Sequence, residues 1–399
     1  MFIWFMFLVY IILSIYMMWR IIRWTKKVIP FFRYKRMQAV IVLVYLCFAS
    51  TLIWGGLLPK GNFQTAMQKL GNYWLGVFIY MLMNILILGI VSRILKRVHK
   101  KYPIPIVMDN RGRYIAGVIV ILSSVFFSTY GFLHFNDIKT TKYHITVEKG
   151  AGDMESLQIA LVADLHLGYN VGCRQMRQMV ERINSQDVDL VVIAGDIFDN
   201  DYDALEDEQE LISIFRSIKS RYGVYAVYGN HDVTEKLIGG FSVASKKNAF
   251  RDVRMEQFLG ECHIHVLSDE VLSVAQDRIY LAGRRDRQKA GDGTSDRKSI
   301  QELVQNLDSS KLLIVIDHQP SNLSEIAAAG ADVMLCGHTH AGQFFPLTLV
   351  QPFAWQNYYG CEKINKMYSV VTSGVGVYGP AMRVLTDSEV VFLTVDFAQ

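Results

Sequence analysis

Leu157-Gln158-Ile159-Ala160-Leu161-Val162-Ala163-Asp164-Leu165-His166 is an apolar run that breaks into two side chains able to ligate a metal. A short apolar segment with no helical period reads as a buried strand. The pattern recurs downstream. Residues 188–194 run into Gly195-Asp196-Ile197-Phe198-Asp199, and residues 224–228 into Gly229-Asn230-His231-Asp232. Residues 311–316 run into Asp317-His318, and residues 332–335 are soon followed by Gly337-His338-Thr339-His340. Side chains two apart on a strand point the same way, so Asp164 and His166 are expected to reach one ion from the strand end. The bordering glycines let backbone turn sharply beside such an ion.

Between these runs the period changes. Met176, Met179, Val180 and Ile183 recur at helical spacing, as do Leu205, Leu211, Ile212, Phe215 and Ile218. Further strands are expected at 263–267, 271–275, 278–282, 368–372 and 389–395, and helices near 247–259, 299–307 and 321–329. Alternating strands and helices imply sheet covered by helix, with ligands where strands end. The extra strands without intervening helices point to two sheets stacked face to face.

The rest of the chain is of another kind. Of 399 residues 51% are hydrophobic and 20% charged, and the mean hydropathy is +0.20, too apolar for an ordinary soluble enzyme. Residues 1–135 carry 16 Lys/Arg and one acid, Asp109; the remainder carries 25 Lys/Arg against 36 Asp/Glu. The overall +4 is therefore a cancellation between two unlike parts. A transmembrane region over 1–135, a linker over 136–155 and an α/β catalytic domain over 156–399 are expected. Four stretches, about 1–19, 37–58, 73–92 and 114–135, are long and apolar enough to span a bilayer, which takes roughly 20 residues. Trp4, Trp19, Trp24, Trp54, Tyr73 and Trp74 lie near their ends, as an aromatic belt requires. The basic residues concentrate between the first and second spans and between the third and fourth. The positive-inside bias puts those loops in the cytoplasm and everything after Phe135 outside a cell membrane.

Five of the ten histidines fall just past apolar strands, in fixed order with the aspartates. Mixed oxygen and nitrogen ligands without cysteine suit Mn, Fe or Zn and disfavour a structural zinc site. The five blocks together resemble the motif set of the calcineurin-like metallophosphoesterases over about 157–396. The tracts Asp317-His318-Gln319-Pro320 and Gly337-His338-Thr339-His340-Ala341-Gly342-Gln343 resemble its membrane-bound bacterial subgroup, which includes enzymes cleaving UDP-2,3-diacylglucosamine. The resemblance implies a four-layer αββα sandwich and two divalent metal ions. It places Asp164, His166 and His340 on one ion, Asn230, His318 and His338 on the other, and Asp196 between them. It makes His231 the catalytic histidine near the leaving group, with Asp232 orienting it, and leaves Asp199 in a supporting position.

Such a centre is chemically coherent. Two divalent ions, two carboxylates and a bridging hydroxide leave a net positive charge to attract a phosphate anion, although the surrounding domain is net negative. Paired ions about 3.5–4 Å apart acidify the bridging water and clamp the phosphoryl oxygens for in-line attack, and His231 can protonate the departing oxygen. The expected function is a membrane-anchored phosphoesterase acting on a lipid-linked or cell-envelope phosphate ester, with membrane lipids as surroundings. The alternatives are a UDP-2,3-diacylglucosamine pyrophosphatase and a non-catalytic membrane scaffold or sensor. Arg284-Arg285-Asp286-Arg287 reads as a second phosphate site or a solvated turn, residues 344–355 as an apolar lip or a packed loop, and Arg383 as a residue of the site's mouth. Cysteine spacing gives no zinc or redox motif. A glycine-rich phosphate loop, a nucleophile elbow and a nucleic-acid-binding stripe are all missing from the sequence.

Overall fold

A computed structural model describes residues 2–99, 110–235, 237–238, 241–242, 250–292 and 296–398. The chain divides into two compact units. One is Met1–Phe132 with Leu237–Val243 and Gly379–Met382; the other is Leu133–Lys236, Ala244–Tyr378 and Arg383–Gln399.

In the first unit, α1 (Phe2–Val28), α2 (Lys35–Ala49), α3 (Thr51–Leu57), α4 (Asn62–His99) and α5 (Asn110–His134) follow one another. Three of these helices are long and apolar enough to cross a membrane, or four spans if α2 and α3 are taken as one. The second expected span is thus broken, by 42° between Ala49 and Thr51. Ser50 Oγ and Thr51 Oγ1 donate back to the carbonyls of Cys47 and Phe48, competing with the helix's own ladder at the bend. The other helices outrun the apolar stretches that announced them, because polar residues extend a helix beyond the hydrocarbon it can cross. Met17, Tyr45, Leu52, Trp74 and Phe78 form a shared core. Polar contacts add to it: Trp74 Nε1 donates to Tyr10 Oη at 3.1 Å, and Asn84 Nδ2 lies 3.0 Å from both Ser123 Oγ and Ser124 Oγ. The basic residues Lys100 and Lys101 and the acid Asp109 lie outside the described residues.

The second unit is α/β. Its first sheet comprises β1 (Ile138–Val147), β2 (Ser156–Val162), β3 (Leu190–Ala194), β4 (Val224–Val227), β7 (Ile264–Val266) and β14 (Ser388–Phe397), in the order β1-β14-β2-β3-β4-β7. The hairpin β5–β6 (Leu237–Ile238 and Phe241–Ser242) belongs to the first unit. The second sheet takes β8 (Glu270–Val274), β9 (Ile279–Gly283), β10 (Leu312–Ile316), β11 (Val333–Cys336), β12 (Gly360–Ile364) and β13 (Met367–Val371), in the order β12-β13-β11-β10-β9-β8. Strands β2, β3 and β4 are parallel neighbours, as are β9, β10, β11 and β13. Their near-continuous apolar runs follow from burial on both faces. Ile314 and Ile316 enter a core shared with Ile159, Leu161, Val192 and Leu393 of the first sheet. Leu313 and Val315 point the other way, into a second cluster with Ile300 of α9 (Ile300–Val304) and Leu323 and Ile326 of α10 (Leu323–Ala328). Helix α6 (Cys173–Asn184) buries Met176, Met179, Val180 and Ile183, and α7 (Glu208–Arg216) buries Leu211, Ile212 and Phe215. Helix α8 covers Val253–Glu261; residues 247–249 of the expected helix lie outside the described residues.

The expected linker over 136–155 is corrected. It contains the ten-residue strand β1, paired parallel with β14 from Ile138↔Ser388 to Val147↔Phe397. An edge strand exposes most of one face, so Lys139, Thr140, Lys142 and His144 hide a strand whose Ile138, Ile145 and Val147 are buried and whose Tyr143 packs on the core.

Candidate metal centre

Every motif residue sits on the turn that ends a strand. Asp164 and His166 follow β2, Asp196 follows β3, Asn230 and His231 follow β4, His318 follows β10, and His338 and His340 follow β11. All lie in the α/β unit, whose sheets bring these turns together.

Strand alternation is not the reason they converge. The strand has ended at Val162, and Asp164 and His166 hold φ of 52° and 47°. Asp196, His338 and His340 are also left-handed, at 51°, 74° and 51°. Backbone of this kind is uncommon outside glycine and concentrates where a site dictates the conformation. Glycine supplies the remaining room. A Cβ on Gly229 would meet Asp196 Oδ1 at 2.2 Å, and one on Gly195, itself at φ 83°, would meet His318 Nδ1 at 2.7 Å.

Among the described residues three triads offer ligand atoms within 4.8 Å of one another: Asp164, His166 and His340; Asp196, His318 and His338; and His166, Asp199 and His231. In the first, His166 Nε2 stands 3.2 Å from His340 Nε2, and His340 Nε2 stands 3.6 Å from Asp164 Oδ1. In the second, His318 Nε2 stands 3.1 Å from both Asp196 Oδ2 and His338 Nδ1. Asp196 Oδ2 is also 3.8 Å from His166 Nε2, so a single oxygen faces both of these triads. Asn230 is buried and its side-chain carbonyl oxygen has no hydrogen-bond partner. These donors fit a pair of divalent cations. The Asn230 oxygen needs an electrophile, and imidazole nitrogens at such contacts satisfy one another only through a cation or proton between them.

The charges agree. Burial pushes Asp164 up to about 6. Burial would also raise Asp196, but His318 and its other histidine neighbours hold it well below the usual carboxylate range. Burial would lower His318, yet Asp196 draws it well above the ordinary imidazole value. The ligands are also aimed from behind. His318 Nδ1 donates to the Ala194 carbonyl at 2.9 Å, leaving Nε2 to face the centre. The backbone N–H of His338 donates to both Asp164 oxygens, at 3.0 and 2.9 Å. Asp199 Oδ1 lies 3.4 Å from His166 Nδ1, a supporting position.

His231 is brought to the same place but is oriented by another residue than expected. Asp232 is fully buried and accepts from the N–H groups of Phe198 (2.8 Å) and Gly229 (2.7 Å), fastening one turn to the next. The partner of His231 Nδ1 is Asn200 Oδ1, at 2.5 Å. The amide's orientation is dictated, because its Nδ2 side faces two pure acceptors, the Val233 carbonyl at 3.1 Å and Glu235 Oε2 at 3.4 Å. His231 Nδ1 must therefore carry the proton, and Nε2 is left to exchange one. Lys289 closes the chain on Glu235 at 2.5 Å. Burial pushes His231 down to about 3, so its ring is neutral at pH 7 before substrate arrives.

Sequence reading missed Asn200, Tyr378, whose ring is 4.4 Å from His231, and Trp355, 5.3 Å from His338. None carries a ligand-type signal. Arg284 is buried and paired with Asp317 at 3.5 Å, and the half-buried Arg285 pairs with Asp292, while Arg287 is exposed. One further expectation is corrected. Arg383 is fully buried, not at a mouth. Its guanidinium, pushed down to about 10 by burial, donates to the carbonyls of His340, Ser373, Gly374 and Gly376. All five cysteines are free.

Comparison with known proteins agrees with this geometry. Residues 157–342 match the family model described as calcineurin-like phosphoesterase. A transmembrane protein with metallophosphoesterase domain from Danio rerio is 27% identical over 326 residues, covering 79% of this chain and 70% of that one. An uncharacterized metallophosphoesterase of Helicobacter pylori is 29% identical over 243 residues, 60% of either chain. The uncharacterized metallophosphoesterase YkuE of Bacillus subtilis is 24% identical over 273 residues, covering 66% of this chain and 89% of that one. The chain thus spans 60–70% of the length of the first two relatives.

Asp196→Asn removes the charge that faces both triads. After loading with Mn²⁺ and gel filtration, elemental analysis is expected to fall from about two equivalents to one or fewer; unchanged content would contradict the bridging position.

Proposed function

We propose that this calcineurin-like metallophosphoesterase, a metal-dependent phosphoester hydrolase, is anchored in a cell membrane by its N-terminal helices and cleaves a phosphate ester of a lipid-linked or envelope substrate. The observation that carries the hydrolytic reading is the pair of Asp/His triads with one Asp196 oxygen facing a histidine of each. Seven residues, Asp164, His166, Asp196, Asn230, His318, His338 and His340, form the ligand set, and the two sheets with their helices form an αββα sandwich in this reading. Two divalent cations held there supply Lewis acidity to the phosphoryl oxygens and acidify water at the centre. His231 does the rest. With Nδ1 pinned by Asn200, Nε2 takes a proton from solvent as the phosphoryl charge arrives beside it and passes that proton to the departing oxygen.

The lipid reading rests on residues 344–355. Phe344 is buried, whereas Leu347, Leu349, Val350 and Phe353 are exposed, Phe353 by 91%. This apolar run leads from just past His340 to Trp355, whose ring packs on His338. Exposed apolar surface grouped beside a phosphoesterase centre is suited to an acyl chain. The charge bias of the basic loops supports an extracytoplasmic catalytic domain.

Three outcomes are expected. His231→Ala retains metal and loses about 10²–10⁴-fold in kcat for alkyl phosphate esters but far less for p-nitrophenyl esters, with Asn200→Ala showing the same dependence more weakly; equal losses for both leaving groups would remove the proton-transfer role. Leu349→Ser/Phe353→Ser raises KM for a long-chain phospholipid ester about tenfold and leaves that for a short-chain ester unchanged; equal effects would remove the acyl contact. A reporter fused after Gln399 is active only if folded outside the cytoplasm, and cytoplasmic activity would reverse the orientation.

A further inference from the structure

The first unit contains a cavity of about 220 Å³ between the C-terminal halves of α1 and α4 and the N-terminal half of α5. Its lining is divided by chemistry. Arg20, Lys27 and Arg113 contribute cations, while Met81, Ile85 and Val120 contribute apolar wall. Trp24 joins the two. Its Nε1 donates to the Arg113 carbonyl at 2.8 Å, and its ring fills the space where a side chain on residue 117 would stand, 2.0 Å from an ideal Cβ on Gly117. Glycine at 117 is therefore what lets the indole clamp α1 to α5 and form one side of the cavity.

Among the described residues of this unit no acid answers these cations. Residues 2–99 and 110–132 contain neither Asp nor Glu. Their contacts are with uncharged groups: Arg113 Nη1 donates to Asn110 Oδ1 at 2.9 Å, and Arg20 lies over the Tyr16 ring. Three exposed basic groups around one apolar-walled cavity suit an anion that also tolerates hydrocarbon. Basic pockets between membrane helices take anionic lipid headgroups for this reason.

We infer that this cavity binds an anionic glycerophospholipid, its phosphate held by Arg20, Lys27 and Arg113 and its acyl chain lying along Met81, Ile85 and Val120. Free phosphate could use only the cations, and a zwitterionic lipid carries its own counter-charge. The site is separate from the hydrolytic centre and does not depend on it.

The test uses the full chain purified in detergent, with melting followed as dioleoyl-phosphatidylglycerol, dioleoyl-phosphatidylcholine or inorganic phosphate is added. Phosphatidylglycerol is expected to raise the melting temperature by a few degrees and to saturate, with the other two nearly silent. Lys27→Gln/Arg113→Gln is expected to bind phosphatidylglycerol about 30-fold more weakly while melting like the parent in phosphatidylcholine. An equal response to phosphatidylcholine would overturn anion recognition, and an equal response to inorganic phosphate would overturn the lipid. Undiminished binding by the double variant would remove the cavity as the site. If that variant fails to fold, the parent's salt dependence decides: affinity for phosphatidylglycerol falls with added NaCl, and salt-insensitive binding overturns the inference.

Discussion

The α/β unit is organised around an electrostatic demand: buried carboxylates and imidazoles point at one another with nothing but a proton or a cation able to sit between them. Asp196 faces histidines of both triads with one oxygen and draws His318 above the ordinary imidazole value. Burying such groups without compensation is costly, and a buried charge left unpaired costs several kcal/mol. The left-handed turns at Asp164, His166, Asp196, His338 and His340 carry the same message in the backbone. The fold tolerates these unfavourable features because the flanking strands are buried and well paired.

How much of this was legible in the sequence depends on what carries the signal. Strands buried on both faces read plainly, because an apolar run of five residues such as 312–316 has no other economical use. The clustered aspartates and histidines read plainly too, because they recur as polar breaks at the ends of those runs. The edge strand β1 did not, since its exposed face carries the same polar residues as a linker. Asp164 and His166 converge through turn conformation, not through the strand alternation their spacing suggests.

Hydrogen-bond detail was the least legible. Asp232 stands beside His231 in the chain, yet its carboxylate serves two backbone N–H groups, while Asn200, 31 residues earlier, holds the imidazole. Neither assignment follows from residue type, because it depends on which acceptors surround the Asn200 amide. Arg284 and Arg383 illustrate the same point for charge. Both look like phosphate-facing residues in a linear reading, and both are interior: one neutralises Asp317, the other ties the His340 turn to the loop at 373–376.

The central claim is that seven side chains hold two cations across one carboxylate. Crystals of the full chain grown with Mn²⁺ and measured at the manganese edge test it directly. Two anomalous peaks about 3.5–4 Å apart, both within bonding distance of Asp196, are the expected result. A single peak, or density that avoids Asp196, would contradict the account.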